Sequence, residues 1–258
     1  MTPFQLWVAY ATMLRKDLVR IVRIWPQTFL PSIVTSILYF LVFGTVLGSK
    51  IGAVGGVPYM AFVVPGLVML AVVTNAFSNV ATAFFQSKFF VRSIDEILVS
   101  PMPPWLMLAG FISAGVLRGM VVGLLVLGVS LFFALPSVPH PLFVLLFLLL
   151  SATLFALGGL INGIYAKSFD GISIIPTFVI TPLVYLGGVF YSVHALPTWA
   201  SAITHLNPLF YLVNGFRYGL LGHSDVSMTL CVSVLMGLVA AMATAAWWQL
   251  KSGLGLRQ

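Results

Sequence analysis

Long apolar stretches alternate with short polar ones along this chain. Six of them, approximately Thr28–Gly48, Tyr59–Gln86, Leu106–Leu135, Leu142–Tyr165, Ile172–Phe190 and Met228–Leu250, are long enough to cross a hydrocarbon core of about 30 Å as helix. Strict alternation of apolar and polar residues is absent, which argues against a membrane β-barrel. The pattern predicts an all-α membrane protein with six transmembrane helices.

Two further segments have a different rhythm. From Phe4 to Trp25, Leu14, Leu18, Ile21 and Trp25 recur at spacings of three and four, and Lys16, Arg20 and Arg23 keep a similar rhythm on another face. Residues 1–26 are therefore expected to form an amphipathic helix in the membrane interface, its basic face toward anionic headgroups. It serves as an anchor alone or also touches a cytosolic partner. Pro26 and Pro31 are expected to mark the turn into the first span. Residues 192–226 hold two apolar helical pieces, each too short to span, broken by Asn207-Pro208. They read as a pair of short re-entrant helices on the external side, with a loop lying flat on the headgroups as the alternative.

Composition agrees. The chain is 60% hydrophobic and 7% charged, with a mean hydropathy of +1.11, whereas an ordinary soluble domain is about one-quarter charged. With 258 residues, there is room for a single membrane domain, 1–258, and no soluble one. The net charge of +7 could suggest nucleic acid, but its distribution does not. With a cytoplasmic N-terminus, Arg15, Lys16, Arg20, Arg23, Lys88, Arg92, Lys167, Lys251 and Arg257 share one side, and only Lys50 and Arg217 fall opposite. This is a positive-inside bias that places both termini in the cytoplasm. The lone Cys231 lies in the last span, and the N-terminus lacks the basic start of a cleavable signal peptide.

Catalysis has little to stand on. His-Glu-x-x-His, Cys-x-x-Cys and Gly-x-Ser-x-Gly are absent, and His140, His194, His205 and His223 sit in separate external positions. No catalytic, cofactor or metal site is expected. No Lys completes a Gly-x-x-x-x-Gly-Lys-Ser/Thr frame, so any ATP-driven step would use a nucleotide site on another chain.

Between the second and third spans lies a charged island, residues 88–104, with Lys88, Arg92, Asp95 and Glu96. Arg92 and Glu96 are four apart and can pair on one helix face. Ile94, Ile97 and Leu98 form an apolar side that can lie on the membrane or enter a partner groove. Pro101, Pro103 and Pro104 then stop the helix, and Trp105 opens the next span. A solvated loop is the alternative to a docking helix. Arg118 falls about 12 residues, or about 18 Å, into the third span. At that depth it must face protein or water, either to fix helix packing or to meet an anionic part of a substrate.

These segments carry a resemblance. Arg92-Ser-Ile-Asp95-Glu96-Ile-Leu98-Val-Ser-Pro101 resembles the coupling-helix segment of ABC-2 type exporter permeases. Leu183-Val-Tyr185-Leu-Gly187-Gly188-Val-Phe190-Tyr191-Ser, Leu196-Pro197-Thr-Trp199, Leu206-Asn207-Pro208 and Gly215-Phe216-Arg217-Tyr218-Gly219 are similar to that family's C-terminal signature. Phe62-Val-Val-Pro65-Gly66-Leu is similar to the start of its second span. The likeness runs essentially end to end and includes nodulation-factor and polysaccharide exporter permeases.

The resemblance implies the fold expected above and the permease subunit of an ATP-binding cassette exporter in a bacterial inner membrane. Such subunits form dimers, with the path between protomers, and two cytosolic ATPase subunits carry ATP and magnesium. It implies that Lys88, Arg92, Asp95, Glu96, Leu98 and Pro101 couple to the ATPase, with Lys167 and Asp170 as a minor cytoplasmic contact. Arg118 and Tyr185 are candidates for the translocation path or for packing. Pro197, Trp199, Asn207, Pro208, Tyr211 and Arg217 belong to the external re-entrant segment. A secondary transporter or channel without an ATPase would explain the spans equally well and the charged island poorly. None of the five acidic residues lies in a clear span.

Overall fold

A computed structural model describes the chain except for Gly55, Arg92, Pro136, 194–196, Leu254 and 256–258; at Thr45 only the backbone is described. The first helix, α1 (Pro3–Arg23), opens with a reciprocal cap: Thr2 Oγ1 accepts from the Gln5 amide, and Gln5 Oε1 accepts from the Thr2 amide. Ile24 breaks the helix, and α2 (Trp25–Tyr39) follows with Pro26 in its first turn. Pro31, expected at the turn, instead lies inside α2. Its missing N–H removes one ladder bond near the helix start, a loss that membrane helices tolerate.

The helix continues through a π-helical stretch, Phe40–Leu47, into α3 (Gly48–Ile51). Two two-residue strands, β1 (Ala53–Val54) and β2 (Val57–Pro58), form an antiparallel turn leading to α4 (Tyr59–Phe89). Then come α5 (Ser93–Val99), α6 (Pro104–Ser130) and α7 (Pro141–Tyr165). Helix α8 (Phe169–Ile175) runs through a second π-helical stretch, Pro176–Ile180, into α9 (Thr181–Leu186). The last helices are α10 (Thr198–Leu206), α11 (Pro208–Leu221) and α12 (Met228–Ser252).

Among the described residues, six helical runs are long and apolar enough to cross a membrane: Trp25–Ile51, Tyr59–Phe89, Pro104–Ser130, Pro141–Tyr165, Phe169–Leu186 and Met228–Ser252. They coincide with the six expected spans, with shifted ends. The third stops at Ser130 rather than near Leu135, because Leu131 to Phe133 form a turn. The fifth stops at Leu186, where Gly187 caps the helix and Gly188 takes φ +72°.

Helix α4 is the hub. It packs along both α6 and α7, and most of its length is buried. Small residues permit the approach. A Cβ at Gly159 of α7 would overlap the Phe77 carbonyl oxygen, and one at Gly119 of α6 would stand 3.0 Å from the Ala76 methyl. Without a hydrophobic drive between helices in lipid, such close contact supplies much of the association. The first, fifth and sixth spans, by contrast, leave most of their surface exposed.

Candidate functional site

Helix α5 has only seven residues, too short to be stable alone. Its seat is Ile94, 1% exposed in the core, with partly buried Ile97 beside it. Burying an isoleucine side chain is worth roughly 1.5–3 kcal/mol, enough to hold one short helix on the end of α4. Asp95 and Glu96 fall in the first turn, where carboxylates favour the helix dipole, and both are exposed. Leu98 is exposed as well, and Val99 is 86% exposed. Ser100 Oγ donates to the Ile97 carbonyl at 2.6 Å, and exposed Pro101 ends the segment. One face is thus anchored and the other offers two carboxylates and two aliphatic side chains. Arg92, expected to pair with Glu96, lies outside the described residues. A cavity of about 480 Å³ adjoins α5, between it, the start of α6 and the end of α12, and is lined by Asp95, Leu98, Met102, Met107, Leu250 and Lys251, among others.

Lys88 is placed differently from the exposed acids. Its ammonium donates to the carbonyls of Ile164, at 3.1 Å, and Gly255, and lies 5.1 Å from the Phe89 ring centroid. It ties the ends of α4 and α7 to the chain beyond α12. Lys167 and Asp170 are exposed at the same end, in the loop and first turn of α8, where Ser168 Oγ accepts from the Gly171 amide. Lys16 of α1 reaches Ser93 Oγ at 3.4 Å, joining α1 to α5.

A second polar centre lies where α1, α4 and α6 meet. Arg118 donates to Asn79 Oδ1 at 3.2 Å and to Asn75 Oδ1 at 3.3 Å. Arg20 donates to the same Asn79 oxygen at 3.2 Å and to Gln86 Oε1 at 3.2 Å. Asp17, paired with Arg20 at 3.5 Å, is the carboxylate of the group. Burial pushes its carboxyl above the ordinary range, against the pull of Arg20 and Lys16. A cation at this depth costs roughly several kcal/mol unless bonded, and two asparagine amides from α4 hold Arg118. Sequence reading missed Asn75 and Asn79. Their signal was present: two amides four residues apart, on one face of a largely apolar span.

At the opposite end, α11 is built into the core. Asn207 Oδ1 accepts from the Leu209 amide, capping α11, while its Nδ2 donates to the Leu183 carbonyl. Tyr211 OH donates to the His205 carbonyl at 2.8 Å. Arg217, 3% exposed, donates to the Gly188 carbonyl at 2.7 Å, stands 3.9 Å over the Phe62 ring and lies 3.9 Å from Asp225. Pro208 is half-buried, whereas Pro197 and Trp199 are exposed on and beside α10. Exposed Tyr185 stacks on Phe190, which stacks on Phe43 of the first span.

Comparison with known proteins bears on both ends of the molecule. The chain is 48% identical over 251 residues to the inner membrane transport permease YadH of Escherichia coli (strain K12), covering 97% of this chain and 98% of that one. It is 25% identical over 229 residues to nodulation protein J of Neorhizobium galegae, covering 89% and 86%. It is also 27% identical over 217 residues to nodulation protein J of Rhizobium leguminosarum bv. trifolii, covering 78% of each chain. The family model for the ABC-2 type transporter matches residues 8–221, the whole frame that carries α5, the Arg118 centre and α11, and the protein belongs to that family.

Proposed function

We propose that this chain is the membrane-spanning permease subunit of an ATP-driven exporter in a bacterial inner membrane, coupled through α5 to separate cytosolic ATPases. The observation that carries this reading is the split character of α5. Ile94 fastens it to the bundle, while Asp95, Glu96, Leu98 and Val99 face outward. A short helix held by one buried side chain moves as a unit, and its outer face suits a groove that presents cations around an apolar floor. Lys167 and Asp170 stand at the same end and would supply a minor second contact. Lys88 would act indirectly, by keeping the ends of α4 and α7 together.

In this reading both termini are cytoplasmic, α1 lies in the membrane interface, and α10 and α11 form the external re-entrant pair. Two copies of the chain would pair, with the path between them, and two ATPase subunits would carry ATP and magnesium. The largely exposed faces of the first, fifth and sixth spans are the surfaces left for lipid or a second protomer.

Copurification tests the coupling. Glu96→Arg reverses one exposed charge without touching the core. A tagged permease carrying it is expected to retain its elution profile in detergent, to recover at least five-fold less ATPase and to lose most transport. Equal ATPase recovery and equal transport would show that α5 is not the docking element.

A further inference from the structure

The Arg118 centre has more hydrogen-bond donors than acceptors. Arg20 and Arg118 both use Asn79 Oδ1, and among the described residues Asp17 is the only carboxylate paired with either guanidinium. Among the described residues, Arg118 Nε, Arg20 Nε and Asn79 Nδ2 are buried without a hydrogen-bond partner, and Asn79 is 2% exposed. Buried N–H groups are paired in the great majority of native structures, so three leftover donors around two cations call for an acceptor-rich anion.

Asn75 connects this centre to a groove. Its Oδ1 accepts from Arg118 while its Nδ2 donates to Ser32 Oγ at 3.0 Å. The groove, of about 180 Å³, runs between α2 and α4 and carries the polar side chains of Ser32, Thr35, Ser36, Tyr39, Thr74 and Asn75. Ser32, Thr35, Ser36 and Tyr39 fall on one face of α2, in a span otherwise rich in apolar residues. Helix packing alone does not require a polar row there. It suits the polar part of an amphiphile whose tail stays in the hydrocarbon.

We propose that Arg118, Arg20 and Asn79 form a subsite for an anionic headgroup, a phosphate or another oxyanion borne on an apolar tail, with the Ser32–Tyr39 face of α2 receiving the adjoining polar atoms. The substrate class that follows is an anionic amphiphile. This rests on the exporter reading above.

Binding to the full chain in phosphatidylcholine nanodiscs tests it, with dodecyl phosphate as probe and dodecylphosphocholine as the zwitterionic match of equal tail. Wild-type protein is expected to bind dodecyl phosphate at least ten-fold more tightly. Arg118→Gln should abolish that preference. Should it fail to fold, Arg118→Lys carries the test: an ammonium keeps the charge but not the two-pronged fork, so the preference should fall several-fold. An unchanged preference in a folded variant overturns the subsite. Equally tight binding of inorganic phosphate alone overturns the amphiphile assignment. The assay contains no ATPase, so failed copurification would refute the motor reading while leaving the anion preference measurable.

Discussion

Arg217→Met is expected to lower the stability of the permease by about 2–4 kcal/mol, seen as an earlier and broader thermal transition in detergent. The guanidinium performs three tasks at once. It donates to the Gly188 carbonyl at 2.7 Å, lies over the Phe62 ring and sits beside Asp225. A buried carbonyl left without its donor costs about 1–3 kcal/mol, and a desolvated contact between a cation and a ring is worth up to about 2 kcal/mol. Methionine fills much of the volume, so the loss reports polar contacts rather than a void. Gly188 ends the fifth span at φ +72°, and Phe62 starts the second span, so Arg217 fastens three separate segments together. Proteolysis of the variant should therefore concentrate in residues 192–226. An unchanged transition and cleavage pattern would mean that this external segment is held by α11 packing alone. Arg217→Lys should recover part of the loss, since an ammonium can reach a carbonyl but stacks less well on a ring.

The spans were legible in the chain because burial in lipid imposes a long apolar run, and the ends shifted furthest where local chemistry intervened. Leu131 to Leu135 are apolar, yet the helix ends at Ser130; Gly187-Gly188 ends the fifth span while hydrophobicity continues through Phe190. The two π-helical stretches had no readable signal, since an extra residue in a turn leaves the mean hydropathy unchanged. At α5, the charges and the closing prolines announced a short helix. Which side faced inward depended on tertiary packing, and the structure seats it on Ile94 while Leu98 points away. Counting charges by loop also hid what two of them do. Arg217 was read as an external charge and is almost wholly buried; Lys88 was grouped with the exposed acids and instead donates to two carbonyls. Arg118 stood out alone because any cation in a span does. Its partners, being neutral amides, did not.

Gly159→Ala is expected to be the more damaging of two adjacent glycine changes, costing about 1–3 kcal/mol or more, while Gly158→Ala is neutral to slightly stabilising. Both lie on α7, one residue apart, on different faces. A methyl at Gly159 would overlap the Phe77 carbonyl oxygen and stand 3.0 Å from its carbon, and neither atom can swing aside as a side chain does. The helices must separate, and overpacking that moves backbone costs about 1–3 kcal/mol or more. At Gly158 the nearest atoms are the Phe77 ring edge at 3.5 Å and the Met242 methyl at 3.6 Å, ordinary contact distances. Alanine there also gains about 0.5–1 kcal/mol of helix preference over glycine. The pair separates packing from propensity, because propensity alone predicts that both substitutions stabilise. Phe77 lies one turn or less from both Asn75 and Asn79 on α4, so forcing α7 away from it shifts the helix that holds Arg118. Gly159→Ala should therefore lower the melting temperature and the dodecyl phosphate preference together, while Gly158→Ala lowers neither. Equal melting temperatures for the two variants would show that the α4–α7 seam yields more easily than its backbone contact implies.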